Sequence, residues 1–173
     1  MINRLLEGNK AYLKSINQIG DISLDKRQET AKNGQHPFAV IITCSDSRVI
    51  PEAIFNCGIG DLFVIRVAGN VIGEHELGSI QYATEHLGCR LVVVLGHTQC
   101  GAIASTISGH GGGYVNYLLN PIKSAIKDEK DPQKASKMNA SAGVEIIKDK
   151  LALLNVDVVA MLYHIENGEV ELL

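Results

Sequence analysis

Two short segments that lie far apart in the chain carry side chains able to bind a metal ion. Residues 44–48 have the sequence CSDSR and residues 96–101 have the sequence GHTQCG, and each segment follows an apolar run typical of a strand. Together they offer two thiolates and one imidazole, all of them common ligands of Zn²⁺. Structural zinc sites usually fill four positions with Cys and His, whereas catalytic sites keep three protein ligands and one open position. Cys44, His97 and Cys100 therefore predict a catalytic zinc site.

A carboxylate and a guanidinium stand beside the first of these thiols. Asp46 could accept a hydrogen bond from a nucleophilic water, and the rigid donor fork of Arg48 could hold that carboxylate in place. Alone, the two could be a surface ion pair of little energetic weight, and Cys44 and Cys100 alone could be inert buried thiols or a redox pair. Their coincidence at two strand ends favours a small hydrolytic or hydrating metal site.

The composition is that of an ordinary globular protein. The 173 residues include 46% hydrophobic and 20% charged side chains, which fits one domain spanning residues 1–173. The net charge is −3 and the cations are scattered along the sequence, so no basic surface for nucleic acid or for a membrane is predicted, and a small ligand is expected.

The sequence also predicts where the protein is located. No signal peptide or membrane span is predicted, and four cysteines are too few for a disulfide scaffold, so we expect a soluble cytoplasmic protein with reduced thiols. Cys57 and Cys89 are predicted to be packing or surface thiols.

Hydrophobic patterns predict an α/β fold. Residues 1–34 form an N-terminal helical arm, with an amphipathic helix over 1–18 followed by a polar segment. Strands are predicted over residues 37–43, 62–67, 91–95 and 156–163, and helices over residues 51–57, 75–87, 101–108, 114–126 and 134–154. This alternation favours a mostly parallel central sheet flanked by helices, closed by a C-terminal hairpin edge strand over 169–173. Ligands bind such sheets beyond the carboxyl ends of the strands, where both chemical segments fall.

The chain resembles the β-class carbonic anhydrases. The family has a Cys-x-Asp-x-Arg segment followed about fifty residues later by His-x-x-Cys, matched here by residues 44–48 and 97–100. The likeness extends in order to residues 34–38, 63–70, 79–83, 96–102 and 163–170. It therefore covers essentially the whole chain.

The resemblance implies zinc-dependent reversible hydration of carbon dioxide to bicarbonate and a proton, by attack of zinc-bound hydroxide. It implies one Zn²⁺ per subunit, held by Cys44, His97 and Cys100, with Asp46 and Arg48 as the catalytic pair. It also implies a homodimer or higher homo-oligomer, in which Gln35 acts on the neighbouring subunit's site. The residues implied to bind the substrate are Gln35, Phe63, Tyr82 and Gly101.

Other functions stay open on the sequence. A carbonyl sulfide or carbon disulfide hydrolase would have a similar fold and zinc site, so the motifs do not separate it from a carbonic anhydrase. A non-catalytic zinc-binding protein should have lost Asp46 or Arg48, which are both present. In some family members the Asp binds the zinc at low pH, and that behaviour is associated with a Trp at the position of Ile41. Since the chain has no Trp, an open site is expected.

Overall fold

A computed structural model of the chain describes residues 1–14, 19–151 and 155–173. Its strands are β1 (Ala39–Thr43), β2 (Leu62–Arg66), β3 (Leu91–His97), β4 (Asp157–Tyr163) and β5 (Val170–Leu172). Its α-helices are α1 (Ile2–Lys14), α2 (Leu24–Asn33), α3 (Pro51–Ile54), α4 (Glu74–Glu85), α5 (Gly101–Ser108), α6 (Asn116–Ile126) and α7 (Pro132–Lys150). No helix in these described ranges combines the length and the apolar character needed to cross a membrane.

The strands form one sheet in the order β2-β1-β3-β4-β5. The first four strands are parallel, and β5 runs antiparallel to β4. All residues of β1 and β3 are buried, as expected for central strands covered on both faces. The predicted α/β architecture, with its mostly parallel sheet and C-terminal hairpin, is confirmed.

Alternate side chains of the central strands pack into two separate hydrophobic cores, one on each face of the sheet. On one face Ile41 and Val93 pack with Leu5 of α1 and with Phe55, which follows α3. On the other face their neighbours along the strands pack against α4 and α7. Each face of the sheet therefore buries one side of every central strand.

Several predicted boundaries need correction. Helix α2 lies in the segment predicted to be merely polar, and none of its residues is buried, so the hydrophobic pattern carries no trace of it. Its sequence signal is the cap, because the Ser23 hydroxyl accepts a hydrogen bond from the backbone N–H of Lys26 at 3.1 Å. The helix predicted over 51–57 is a single turn in α3. The predicted helix ends at 15–18 and 152–154 lie outside the described residues.

The strand order creates a crevice at one edge of the sheet. From β1 the chain passes through α3 to β2 on one side, whereas from β3 it continues through α5, α6 and α7 to β4 on the other side. Connections that leave neighbouring strands in opposite directions open a crevice at the carboxyl ends of those strands. Cys44 follows β1, and His97 ends β3, so both lie at this crevice.

Candidate metal centre

Cys44, His97 and Cys100 meet at the carboxyl ends of β1 and β3. Their potential ligand atoms all lie within 4.8 Å of one another, and the three side chains are buried. Thr43 of β1 pairs with Leu95 of β3, so the strand register itself brings the first cysteine beside the histidine segment. Cys100 is the N-cap residue of α5, which places its thiol at the start of that helix.

The hydrogen bonding of His97 leaves one ring nitrogen free to bind a metal. Nδ1 lies 2.8 Å from the carbonyl oxygen of Thr98, and because a carbonyl only accepts, Nδ1 carries the ring proton. Nε2 then has a lone pair, yet it is buried and has no hydrogen-bond partner in the part of the chain that the structure describes. Buried polar atoms are nearly always paired. An orphaned Nε2 beside two thiols therefore fits a metal ligand.

The thiols of Cys44 and Cys100 shift each other's pKa in opposite directions. The neighbouring Cys100 thiol lowers the pKa of Cys44 most strongly, and the backbone N–H of Gly69 lowers it further. That N–H lies 3.2 Å from the Cys44 sulfur. Conversely, the Cys44 sulfur and burial raise the pKa of Cys100. Binding of a divalent cation would displace the thiol protons and make both sulfurs thiolate ligands.

Gly69 makes this approach to the sulfur possible. It has a left-handed φ of 70°, and a Cβ at this position would lie 2.6 Å from Cδ1 of Ile122 and 3.0 Å from Cβ of Ala102. A larger residue would therefore shift the turn whose N–H faces Cys44.

Asp46 and Arg48 form a bidentate ion pair next to the thiols. Arg48 donates from Nε to Oδ1 at 2.9 Å and from Nη2 to Oδ2 at 2.7 Å, and its backbone N–H also bonds to Oδ1. The Asp46 side chain is only 16% exposed. The Arg48 guanidinium holds the pKa of Asp46 well below its usual range, so this carboxylate is an acceptor at every pH near neutrality.

Further hydrogen bonds hold the loop that carries this pair. Arg66, the last residue of β2, donates to the carbonyl oxygens of Asp46 at 2.8 Å and Cys44 at 3.3 Å. Arg48 Nη2 also donates to the carbonyl oxygen of Gln99 at 3.2 Å. No role for Arg66 was predicted from the sequence. Its signal is the single cation that ends an otherwise apolar strand.

The residues predicted to bind the substrate do not all join the cluster. Gly101 begins α5 directly after Cys100. Phe63 of β2 and Tyr82 of α4 contact one another with ring centroids 6.2 Å apart, and Tyr82 is 48% exposed. Gln35 precedes β1 and so lies at the amino end of the strand that Cys44 follows. Their assignment to the substrate pocket stays a prediction.

The two remaining cysteines lie in the two cores of the sheet. Cys57 and Cys89 are free and buried. Burial raises the pKa of Cys57 to about 12 and also raises the pKa of Cys89. Both are therefore protonated packing thiols, one of the two interpretations that the sequence allowed.

Comparison with known proteins places this geometry in a family. The family model described as carbonic anhydrase matches residues 39–170. Carbonic anhydrase 2 of Mycobacterium tuberculosis is 42% identical over 127 residues, which are 70% of this chain and 61% of the relative. The carbonic anhydrase of Mycolicibacterium smegmatis is 35% identical over 164 residues, or 85% of this chain and 80% of the relative. The chain thus spans less than two thirds of the first of these relatives.

Solved structures agree with the sequence comparisons. The β-carbonic anhydrase CafA of Aspergillus fumigatus has a TM-score of 0.78 and 26% identity, covering 86% of this chain and 81% of its own. A carbon disulfide hydrolase, in its apo form, has a TM-score of 0.61 and 20% identity, covering 84% of this chain and 86% of its own. At that identity the hydrolase shares the fold alone. The family match and the cluster of Cys44, His97 and Cys100 lead to one conclusion: the chain belongs to the β-class of the carbonic anhydrase family.

Proposed function

We propose that this protein catalyses the reversible hydration of carbon dioxide to bicarbonate and a proton, with one Zn²⁺ per subunit held by Cys44, His97 and Cys100. The observation that carries the proposal is the buried ring of His97, which offers a ligand nitrogen within 4.8 Å of both thiol sulfurs and whose Nε2 has no hydrogen-bond partner in the described part of the chain. Family membership supports the reaction, and the donor set supports the metal. Two thiolates and one imidazole suit Zn²⁺, and three protein ligands leave one position open for chemistry.

When bound there, Zn²⁺ supplies the Lewis acidity that makes a nucleophile available from water near neutral pH. The chain's own residues orient the nucleophile toward the substrate. Asp46, kept ionised by Arg48, can only accept a hydrogen bond. It can therefore aim a water-derived nucleophile at carbon dioxide without retaining the proton itself. Since Arg48 is tied both to Asp46 and to the carbonyl of Gln99, the acceptor does not need to reorganise during the reaction.

The proposed pocket for carbon dioxide is apolar and involves a second subunit. Strand β2 is an edge strand, and its apolar residues are only partly buried in the single chain, which favours burial against another copy. Gln35 stands at the opposite end of β1 from Cys44. We therefore keep Gln35, Phe63, Tyr82 and Gly101 as proposed substrate contacts in at least a homodimer, with Gln35 acting on the partner's site.

A cytoplasmic location is part of the proposal. It is supported by the chemistry of the ligands, because both cysteines must stay reduced to bind a metal, and a reducing compartment keeps thiols in that form. All four cysteines of the chain are free.

The test measures zinc content and carbon dioxide hydration on the same preparation, for the native chain and for Cys44→Ser. Loss of one thiolate should remove metal and hydration together, because two remaining ligands bind Zn²⁺ far more weakly. Cys89→Ser is the matched control, since its thiol is buried away from the cluster and donates to the carbonyl of Pro37, as a hydroxyl can. Full zinc occupancy in Cys44→Ser would show that the ligand set is wrong.

Hydrolysis of carbonyl sulfide or carbon disulfide is the alternative reaction on the same site. The structural likeness to a carbon disulfide hydrolase extends to the fold alone, so nothing specific favours it here. Both sulfur compounds should be assayed on the same zinc-loaded preparation. Faster turnover of either one than of carbon dioxide would reassign the substrate while leaving the metal site intact.

A further inference from the structure

Thr98 joins the candidate metal centre to the C-terminal hairpin. Its carbonyl oxygen accepts the Nδ1 proton of His97 at 2.8 Å, while its side chain points to the turn between β4 and β5. There the Thr98 hydroxyl lies 2.7 Å from Oε2 of Glu166 and accepts from the backbone N–H of Ile165 at 3.0 Å. The backbone N–H of Thr98 also donates to the carbonyl of Tyr163 at 3.0 Å. Thr98 is thus held at three points by the hairpin.

The direction of each hydrogen bond in this chain of contacts is determined. The N–H of Ile165 can only donate, so it uses a lone pair of the Thr98 hydroxyl. The hydroxyl hydrogen is then free to be donated to Glu166. That hydrogen bond lowers the pKa of Glu166 more than any other contact, which keeps this carboxylate ionised and accepting at neutral pH. Charge-assisted hydrogen bonds of this kind are about twice as strong as neutral ones.

We propose that Glu166 is a positioning residue for the metal ligand His97 and acts through Thr98. This inference rests on the proposed function. By fixing the Thr98 side chain, Glu166 keeps the Thr98 carbonyl in line with Nδ1 of His97. The carbonyl in turn sets the ring tautomer and points Nε2 toward the two sulfurs. Groups that orient a metal-binding histidine from outside the ligand set typically contribute about 10–100-fold to metal affinity.

Other charged groups around Glu166 define a structural alternative. His164 lies with Nδ1 3.6 Å from Oε1 of Glu166 and Nε2 3.3 Å from Oε2 of Glu171, and Glu171 is paired with Lys137. Glu166 could therefore stabilise the hairpin through His164 alone. That role concerns the oxygen that does not face Thr98, so it predicts no effect on metal affinity.

The test is zinc affinity, measured by competition with a chromogenic chelator. Glu166→Ala should bind Zn²⁺ about 10–100-fold more weakly than the native chain. Glu166→Gln should recover most of this loss, because its amide oxygen can still accept from Thr98. Glu169→Ala is the matched control, since it removes the same charge from the same hairpin at a residue that bonds to Asn167 and not to Thr98. Its zinc affinity should match that of the native chain.

A second pair of variants changes Thr98, which connects Glu166 to His97. Thr98→Ser keeps the hydroxyl and should keep zinc affinity, whereas Thr98→Val keeps the shape and should lose affinity to at least the extent of Glu166→Ala. Glu166 is half exposed, so its variants should fold, as far-ultraviolet circular dichroism would verify.

Equal zinc affinity in Glu166→Ala and Glu169→Ala would overturn the inference, whatever their thermal stability. Weakened binding in both would also overturn it, because the effect would then be one of general charge. A native chain that binds no zinc would instead overturn the proposed function, and the role of Glu166 would fall with it. The two failures are distinguished by the native protein alone.

Discussion

Asp46 is the residue on which the proposed reaction depends once the metal is bound. Each of its two oxygens accepts a hydrogen bond from the Arg48 side chain, at 2.9 and 2.7 Å, and the carboxylate keeps its charge and further lone pairs at neutral pH. Asp46→Asn should leave zinc bound but reduce carbon dioxide hydration by about 10–100-fold, because the amide presents a donor where an acceptor is needed. Hydration rates between pH 7 and 9, on preparations of equal zinc content, measure the effect.

Two further variants complete this test. Arg48→Ala should also reduce the rate, since the carboxylate loses the donor fork that holds it. Asp128→Asn, at an exposed position between α6 and α7, should have native rates and controls for the change of charge. Native activity in Asp46→Asn would be incompatible with an acceptor role.

At the scale of the elements, Asn9 ties the first helix to the last hairpin. This buried side chain of α1 donates to the carbonyls of Ile54 and Gly168 at 3.2 and 2.9 Å, and accepts from the N–H of Val170 at 3.0 Å. Asn9→Ala leaves these groups unpaired in the interior, so the free energy of unfolding should fall by about 2–3 kcal/mol. Urea denaturation measures the change. Asn3→Ala, at an exposed position of the same helix, should change stability by less than about 0.5 kcal/mol.

The ion pair between α7 and β5 predicts a pH dependence of stability. Lys137 lies 2.7 Å from Glu171 and is the main cause of the lowered pKa of Glu171, to which His164 also contributes. A carboxyl whose pKa is lowered by folding stabilises the protein above its unfolded pKa, and that contribution is lost as pH falls through the folded value.

Glu171→Gln should therefore cost stability at pH 7 and much less at pH 3.5. Because the two side chains are 34% and 42% exposed, solvent screens the pair and the cost should stay below about 1 kcal/mol. Urea denaturation at the two pH values measures it, with Glu145→Gln on the solvent side of α7 as the control. A larger loss of stability at pH 3.5 than at pH 7 would contradict the predicted direction of the pH dependence.

At the scale of the whole molecule, the prediction concerns two chains. The five residues of β1 place about 13–17 Å between its ends, with Gln35 before one end and Cys44 after the other. Mixing a Cys44→Ser chain with a Gln35→Ala chain should restore hydration, because a hybrid dimer has one intact metal site facing one intact Gln35. Mixing tagged native chains verifies subunit exchange. Hybrids that form but stay as inactive as their parents would place Gln35 in its own subunit's site or outside catalysis.

The sequence by itself determined the parts of this protein that are written in contiguous segments. Apolar runs of β-branched residues predicted the buried strands. The chemical residues at or just after the ends of two of these strands were predicted to form one group, which comprises Cys44, Asp46, Arg48, His97 and Cys100. The structure confirms the strands and brings these side chains together, because a parallel sheet gathers the carboxyl ends of its strands at one edge. Their roles in metal binding and catalysis stay a proposal. Helix α2 was not predicted, because a helix with no buried residue has no apolar periodicity in its sequence.

Only the tertiary structure decided how the segments meet. The strand order sets β1 beside β3 and so brings Cys44, His97 and Cys100 into one group of potential metal ligands, although the two motifs are about fifty residues apart. The support from Arg66, Asn9 and Glu166 joins residues that are 20 to 161 positions apart in sequence. Such polar contacts have no period and no local spacing. They exist because the folded chain brings distant donors and acceptors together, and buried ones such as Asn9 must find their partners across the fold.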